Sequence, residues 1–442
     1  MPGFRRTLLL VPVLLGLFAC EQAPVEEAGP DLDAALVEAL TLNGQVQLSN
    51  FTLPDPGDLA AIPQDPANPL TADKVELGML LFHETALALS PRHASGRGTY
   101  SCATCHHAAA GFQAGRRQGL GDGGSGWGVR GEGRTRNPLY AETELDVQPL
   151  HSPSVLNVAY QSVMVWSGAF GAHGPNEGTE AHWAADTSFA VNALGYAGVE
   201  AQAIAGLTKH RMDSLQASVL ATHPAYLERW QRVFPGEAAG AIPAGLAIAA
   251  YERTLLAGKA PFQRWLRGEA GAMTTAEKRG ALVFFGKAGC ETCHTGPALN
   301  QTAFYALGMP DLAGTDVFGD VPESLGRGGF LGDPAEAFKF KVPQLYNLKD
   351  SPFYGHGGTF QSVHEVVEYY NEGRPDRTLP NGILERRFKP LGLTPDEIDD
   401  LTAFLTDALH DPDLMRYVPA SLPSGNCFPA NDPAARRDLG CE

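Results

Sequence analysis

The sequence predicts a mostly α-helical protein with long loops, made of two similar domains. Two Cys-x-x-Cys segments begin at Cys102 and Cys290, and each follows a stretch whose apolar residues recur with a helical period. Strand signals are sparse, and 50 glycines and 33 prolines punctuate the connections. We therefore expect one domain around each segment, at residues 71–260 and 261–410.

Capping residues predict where the main helices begin. Thr71 can cap the helix before the first Cys pair, and Thr274 with Glu277 forms a capping box before the helix that precedes the second. Each half also contains a later helix suited to pack against this one, at residues 242–256 in the first half and after Thr394 in the second.

The N-terminus is typical of an export signal. Arg5 and Arg6 precede an apolar run that is too short to span a bilayer, and the run ends at Cys20 in a pattern that resembles a bacterial lipobox. An ordinary signal peptide cleaved nearby is the alternative. We expect a leader at residues 1–20, then a tether, flexible through Asp33, and an N-terminal extension at 21–70, in a periplasmic protein lipid-anchored through Cys20.

The charge balance limits the classes of partner. A formal net charge of -17, from 50 acidic and 33 basic residues, disfavours nucleic acid and an anionic membrane surface. Contact with a membrane is expected only through the N-terminal lipid. The balance is compatible with a cationic electron donor.

Seven cysteines can be assigned without remainder. Cys20 is the lipid candidate and four others form the two CxxC pairs. Cys427 and Cys441 are left, and an exported chain can hold them as a disulfide that staples a tail at residues 411–442.

Both Cys pairs continue into the pentad CxxCH, the attachment signature of c-type haem. Two thiols one helical turn apart can each form a thioether to the porphyrin, and the adjacent imidazole reaches the iron. A zinc site, a thioredoxin-like pair and chance are the alternatives, but composition predicts only about 0.003 such pentads in this chain. The candidate attachment residues are Cys102, Cys105, Cys290 and Cys293, and the candidate proximal iron ligands are His106 and His294.

The chain resembles the bacterial di-haem cytochrome c peroxidases and their relative MauG from about Thr71 to Leu409. The matching segments include LGMLLFHETALALS, SPSVLNVAYQSVMVWSGAF, AIAAYERTLL, KVPQLYNLKDSPFYGHGG and EVVEYYNEG. The resemblance implies two cytochrome c-like helical domains with two covalently bound haem c groups. It implies reduction of hydrogen peroxide at the first haem, with electrons that enter at the second from a small cytochrome c or cupredoxin, and it leaves room for a homodimer.

Within this resemblance, Trp166 matches the tryptophan that the family places between its two haems. This match implies an electron relay, whereas a core tryptophan is the alternative.

The family's catalytic glutamate has no counterpart in the matching stretch, residues 202–212. If Met212 holds the family's Met position, Arg211 replaces the glutamate and His210 stands beside it. His210 would then accept the peroxide proton and Arg211 would stabilise the departing oxygen. A solvated His-Arg pair is the alternative.

The region after the first pentad departs from the family in two further ways. In the family members that need reductive activation, a His on the loop after the first pentad covers the haem iron until activation. This chain has no His between Gly111 and Leu150, so we expect its first haem to be open to peroxide without activation. His151 stands where the family has a calcium-binding Asn, which puts calcium in doubt. Residues 115–133 are glycine-dense and are expected to form a mobile loop, and His107 is expected to be structural.

At the second haem, Tyr370 holds the position of the distal Met of the electron-transfer members, as a tyrosine does in MauG. Tyr370 is therefore a candidate iron ligand, with Met309 and Met415 as alternatives, and His356 matches a family His near this haem. Tyr370 favours a second hypothesis, MauG-like oxidation of a protein partner. The missing glutamate favours a third, a non-enzymatic di-haem electron carrier.

Overall fold

The described residues form a helix-rich fold with short strands and long connections. The computed structural model describes residues 31–441 except 43, 44, 185, 213, 214, 216, 217 and 320. The α-helices are α1 (Leu32–Ala39), α2 (Leu48–Phe51), α3 (Ala72–His83), α4 (Gly198–Lys209), α5 (Val219–Thr222), α6 (Pro224–Val233), α7 (Ala241–Arg253), α8 (Pro261–Leu266), α9 (Thr275–Phe285), α10 (Gly326–Leu331), α11 (Val363–Glu372), α12 (Pro395–Ala403) and α13 (Pro433–Leu439). The strands are β1 (Thr41–Leu42), β2 (Gln45–Val46), β3 (Gly124–Ser125), β4 (Thr135–Arg136), β5 (Gln301–Tyr305) and β6 (Phe340–Val342), and they form the antiparallel pairs β1–β2, β3–β4 and β5–β6.

The predicted helix starts are confirmed. Thr71 accepts a hydrogen bond from the backbone N–H of Lys74 at the start of α3, and the predicted capping boxes begin α9 at Thr274 and α12 at Thr394. Helix α7 ends at Arg253, three residues earlier than the sequence predicts.

Each half of the chain contains the same pair of closely packed helices: α3 crosses α7, and α9 crosses α12. A glycine lies at each crossing. A Cβ on Gly78 would lie 1.8 Å from the carbonyl oxygen of Ala247, and a Cβ on Gly280 would lie 1.9 Å from that of Asp400. The backbones therefore touch directly in both halves, which explains why these two helix positions carry no side chain.

The two halves share one continuous apolar core. Helix α8 lies where the sequence places the domain boundary, and Phe262 on it packs against Phe285 and Phe404, with ring centroids 5.9 and 5.4 Å apart. Residues from Leu32 onward form a single compact unit. The predicted boundary at residue 260 stays a prediction.

The N-terminal extension packs on the second half through α1 and α9. Asp33 accepts hydrogen bonds from the indole N–H of Trp265 (2.6 Å) and from the ammonium of Lys278 (2.8 Å). Helix α1 begins at Leu32, so the last two residues of the predicted tether are helical. The predicted leader and Cys20 lie outside the described residues, and within these residues no helix is both long and apolar enough to cross a membrane.

The C-terminal tail covers the first CxxCH segment. The hydroxyls of Ser101 and Thr104 both donate to the carbonyl of Pro429, at 3.0 and 2.6 Å. The predicted disulfide between Cys427 and Cys441 is present and closes the tail around α13. The cysteine assignment is therefore confirmed for this pair.

The glycine-dense loop at 115–133 is bonded to the C-terminal tail, which argues against the mobile loop that the sequence predicts. Asp438 in the tail accepts hydrogen bonds from two loop N–H groups, including that of Trp127 (2.7 Å). Asp432 forms a buried ion pair, 3.2 Å long, with Arg134. The sequence of the loop gave no sign of these bonds, because their partners lie about 300 residues later in the chain.

Candidate functional site

The second CxxCH segment forms one tight helical turn, Cys290–Thr292, and lines a single cavity. The backbone N–H of His294 donates to the Cys290 carbonyl (2.9 Å), and its ring Nδ1–H donates to the carbonyl of Leu299 (3.0 Å). Because Nδ1 has this partner, Nε2 is the nitrogen left to bind a metal. Burial lowers the pKa of His294 to about 4, so the imidazole is neutral, as ligation requires.

The first CxxCH segment repeats this geometry. His106 follows the turn Cys102–Thr104, its backbone N–H donates to the Cys102 carbonyl (3.1 Å), and its Nδ1 lies 3.4 Å from the Phe112 carbonyl oxygen. Phe112 and Leu299 both have a left-handed backbone, with φ of 57° and 47°, which is rare for residues with a side chain. Burial, with a smaller effect of the charge of His210, lowers the pKa of His106 to about 4.

The two segments line cavities of very different size. The second segment lines a cavity of about 690 Å³, which lies within the range of roughly 300–1,000 Å³ that small-molecule sites occupy. The first segment lines a cavity of about 70 Å³. The second site can therefore take a large planar ligand with its present shape, whereas the first has to widen.

Residues 151–154 form a wall between the cavities: Ser152 lines the smaller one, and His151 and Pro153 line the larger. Trp166 also lines the larger cavity, and its indole N–H donates a 2.8 Å hydrogen bond to the His151 carbonyl. Trp166 is therefore one hydrogen bond and one peptide unit from Ser152 at the first site.

His210 follows α4 directly and lines the smaller cavity together with His106. Its Nδ1 lies 2.9 Å from the carboxylate of Asp146, a side chain that is 7% exposed. Burial by itself lowers the pKa of His210, but the charge of Asp146 and this hydrogen bond outweigh burial, so the pKa lies above 6.5. The Asp146 carboxylate thus favours the imidazolium form of His210, in which both ring nitrogens donate hydrogen bonds.

Arg211 is not among the residues that line this cavity. Its backbone is left-handed, with φ of 60°, and its guanidinium donates to the buried carboxylate of Asp122 and to the carbonyl of Glu144 (2.8 Å). Asp122 also accepts a 2.6 Å hydrogen bond from the hydroxyl of Tyr140. The structure therefore brings His210 to the first site, while the side chain of Arg211 supports the segment behind it.

Comparison with known proteins identifies the family. The model of the di-haem cytochrome c peroxidase family matches residues 72–271. The chain is 31% identical over 396 residues to cytochrome-c peroxidase IdrP1 of Denitromonas iodatirespirans, which covers 84% of this chain and 91% of that protein. The chain belongs to the di-haem cytochrome c peroxidase family.

Other members of this peroxidase family match over similar lengths. The methylamine utilization protein MauG of Methylorubrum extorquens is 29% identical over 418 residues, which covers 92% of this chain and 97% of MauG. Among solved structures, a MauG-like protein associated with microbial copper homeostasis superposes with a TM-score of 0.55 at 23% identity, over 83% of this chain and 97% of that one. The likeness to that structure shows a shared fold.

As a di-haem cytochrome c peroxidase, the protein carries two covalently bound haem c groups. Each site offers two thiols and one neutral imidazole, the donor set that haem c requires. At the first site, Gly119 keeps the approach to Cys105 open, because a Cβ there would lie 3.0 Å from the Cys105 sulfur and 2.6 Å from the Ser152 hydroxyl. The residues present therefore fit the cofactor.

In this peroxidase Tyr370 lines the second haem cavity, together with His356 and Met309. Burial is the main reason why the pKa of Tyr370 lies well above its usual value, so its hydroxyl is protonated at neutral pH. Met415 is 59% exposed and lies outside the cavity. Of the two alternative methionines, Met309 is therefore the one within the site.

Two histidines near the first site of the peroxidase are used by the fold. His151 has both ring nitrogens engaged, Nδ1 by the Arg117 carbonyl (2.8 Å) and Nε2 by the side-chain oxygen of Gln113 (3.1 Å). His107 Nε2 donates to the carbonyl of Arg130 (2.6 Å). Calcium takes oxygen ligands, which an imidazole does not supply, and among the described residues no three His, Cys, Asp or Glu side chains cluster as a metal site. The doubt about calcium stands as a prediction.

Sequence reasoning did not single out two polar residues of the first haem site, Gln202 on α4 and Glu252 on α7. Gln202 Oε1 and Glu252 Oε2 are buried without a hydrogen-bond partner in the described structure. Burial, reinforced by the charge of Glu200, raises the pKa of Glu252 to about 8. The sequence feature that could have indicated Glu252 is its position as the acidic residue, beside Arg253, of the largely apolar segment AIAAYERTLL.

Proposed function

We propose that this protein reduces hydrogen peroxide to water with electrons that pass from a small redox protein through the second haem and Trp166 to the first haem. The observation that carries the proposal is the hydrogen bond from Trp166, at the second cavity, to His151, whose neighbour Ser152 lines the first. A continuous bonded path between the two sites favours electron transfer between them. The donor we expect is a small cytochrome c or a cupredoxin.

The chain's own contribution begins with iron ligation. When bound, each haem supplies an iron centre that exchanges electrons one at a time. We assign His106 and His294 as the proximal ligands, because a backbone carbonyl engages Nδ1 of each and leaves Nε2 available. Cys102, Cys105, Cys290 and Cys293 are assigned as the attachment residues.

Proton supply at the first site is assigned to His210 and Glu252. Reduction of one peroxide to two waters consumes two protons, and both side chains line the cavity that contains His106. The Asp146 carboxylate favours a protonated His210, and burial favours a protonated Glu252. A protonated His210 is a donor, and it can accept the first peroxide proton only after it has lost its own. Arg211 acts indirectly, by fixing the segment of Asp122.

The proposal includes the organisation and location of the chain. Two cytochrome c-like domains at residues 71–260 and 261–410 are supported by the matching crossings of α3 with α7 and of α9 with α12. A periplasmic location, with a lipid anchor at Cys20, is supported by the sequence of the leader.

MauG-like oxidation of a protein partner is the second candidate. It is favoured by Tyr370, which lines the second haem cavity, and by the 29% identity to MauG of Methylorubrum extorquens. In that case the electrons for peroxide would come from the protein that is oxidised, not from a separate reduced donor.

The test is turnover by the holoprotein. We expect hydrogen peroxide to be consumed in proportion to the oxidation of a reduced cytochrome c or cupredoxin. Trp166→Phe should slow this turnover at least tenfold, about 1.4 kcal/mol in barrier. Trp183→Phe is the matched control, because Trp183 lines neither cavity and its indole N–H donates to Thr179.

Two outcomes would contradict the proposal. Peroxide that is consumed only together with oxidation of a protein substrate would favour the MauG-like function. Haems that exchange electrons with the donor but leave peroxide untouched would make the protein an electron carrier.

A further inference from the structure

Lys341 is a buried cation in the wall of the second haem cavity. It lies on β6 and is 7% exposed. Its ammonium donates a hydrogen bond to the side-chain oxygen of Gln161, and no carboxylate among the described residues forms an ion pair with it. A buried ammonium whose partner is a neutral amide is unfavourable unless an anion joins it.

The other basic residues of this cavity are already paired or are exposed. The ion pairs are Arg377–Asp311, Arg387–Glu385 and Lys287–Glu397, and Lys389 is exposed. Burial lowers the pKa of Lys341 to about 7, the opposite of what an ion pair would do. Lys341 is thus the position at which this cavity can offer a buried positive charge to a ligand.

We propose that the Lys341 ammonium binds a propionate carboxylate of the haem attached at Cys290 and Cys293. The propionates are the anionic groups of that cofactor, and Lys341 and both cysteines line the same cavity. An ammonium–carboxylate hydrogen bond satisfies both charges and is stronger than a bond between neutral groups.

The same lysine is bonded to the segment that carries Trp166. The backbone N–H of Lys341 donates to the Trp166 carbonyl (2.8 Å). The Lys341 ammonium donates to the side chain of Gln161, which precedes Trp166 by five residues. A propionate on Lys341 would therefore fix residues 161–166 relative to the second haem. Lys341 is a positioning residue for Trp166 as well as a binding residue for the haem.

The test is the reduction potential of the second haem. A nearby positive charge favours the ferrous form, so removal of that charge should lower the potential. We expect Lys341→Met to shift the reduction equilibrium of the second haem at least tenfold toward the ferric form, about 59 mV for one electron. Lys341→Arg, which keeps the charge, should retain most of the wild-type potential. Lys389→Met, at a lysine of the same cavity whose charge is exposed to solvent and therefore screened, should lower the potential much less.

Spectroelectrochemical titration of each holoprotein resolves the two haems. A Lys341→Met protein with both haems attached and an unchanged second potential would overturn the proposal, since Lys341 would then be neutral or unpaired. Should this variant lose its second haem, Lys341→Gln decides by the same criterion, because it keeps an N–H donor but no charge. The inference needs the second haem but not peroxide turnover, so either proposal can fail while the other stands.

Discussion

The carboxylate of Asp146 lies 2.9 Å from Nδ1 of His210 at the edge of the first haem cavity. Asp146 is buried, and His210 is its charged partner. In the resemblance described above, His210 stands beside Arg211, the residue expected in place of the family's catalytic glutamate.

The stability conferred by this pair should depend on pH. The raised pKa of His210 contributes stability that is fully present below pH 6.5 and is lost as the pH rises through its folded-state pKa. The lowered pKa of Asp146 contributes stability that is present above pH 3.8 and is lost as the pH falls. The free energy of unfolding in urea should therefore exceed that of Asp146→Asn by the largest amount between pH 3.8 and 6.5. A difference that does not vary with pH would mean that the two groups do not form an ion pair.

Removal of His210 should impair peroxide chemistry more than removal of Arg211. His210→Ala should slow the reaction of the first haem with peroxide about 10²-fold, roughly 3 kcal/mol in barrier, because a proton donor is lost from the cavity. Arg211→Ala should mainly lower stability, because it leaves the buried Asp122 carboxylate unpaired. Stopped-flow spectra and urea unfolding measure the two effects. A near-normal rate of reaction between the first haem and peroxide in His210→Ala would indicate that Glu252, not His210, donates the proton.

The two haems should attach independently. Replacing Cys290 and Cys293 by Ala should halve the acid-stable haem measured as pyridine haemochrome, because the first segment has its own turn, thiols and histidine. The equivalent change at Cys102 and Cys105 is the matched control. An unchanged haem content in either variant would remove that attachment site.

Loss of the disulfide between Cys427 and Cys441 should release the loop at 115–133. The disulfide closes a chain segment of about 15 residues, and this closure should contribute about 3 kcal/mol to the free energy of unfolding. Since Asp432 and Asp438 hold the loop from within the stapled tail, the Cys-to-Ser double variant should also exchange the loop amide hydrogens faster. Hydrogen exchange by mass spectrometry measures this. Loop protection equal to that of the wild type would show that the tail holds the loop without the disulfide.

Tyr370 should determine the spectrum of the second haem. If its oxygen occupies the distal side, a redox titration should give a low potential, and Tyr370→Met should raise it, because a thioether favours ferrous iron. A methionine-to-iron charge-transfer band in the near-infrared spectrum of the unmodified ferric protein would contradict this. Met309, which lines the same cavity, would then be the ligand.

Local signals predicted much of the fold. The helix caps could be derived from short sequence patterns, because each capping side chain accepts a hydrogen bond from a backbone N–H only three residues later. These caps are Thr71, Thr274 and Thr394. The disulfide followed from counting cysteines. The two candidate haem segments could be derived in the same way, because the spacing of two thiols and a histidine is a local property of one turn.

Features that depend on distant partners could not be predicted in this way. Arg211 stands beside His210 in sequence, yet its left-handed backbone turns the side chain to Asp122, away from the cavity. Glu252 reaches the first haem site only because α7 packs on α3 and α4. No local pattern marks Lys341 as buried, because its burial on β6 beside Gln161 depends on a residue 180 positions earlier.

The contacts of Pro429 with Ser101 and Thr104 have a consequence for biosynthesis. The turn that presents the first pair of thiols precedes its cover at Pro429 by at least 325 residues in the chain. We therefore expect a haem-attaching enzyme to reach Cys102 and Cys105 only before residues 427–441 have folded over this turn. Attachment at the first site would then have to precede the folding of this segment, and a variant that lacks residues 427–441 should still attach its first haem.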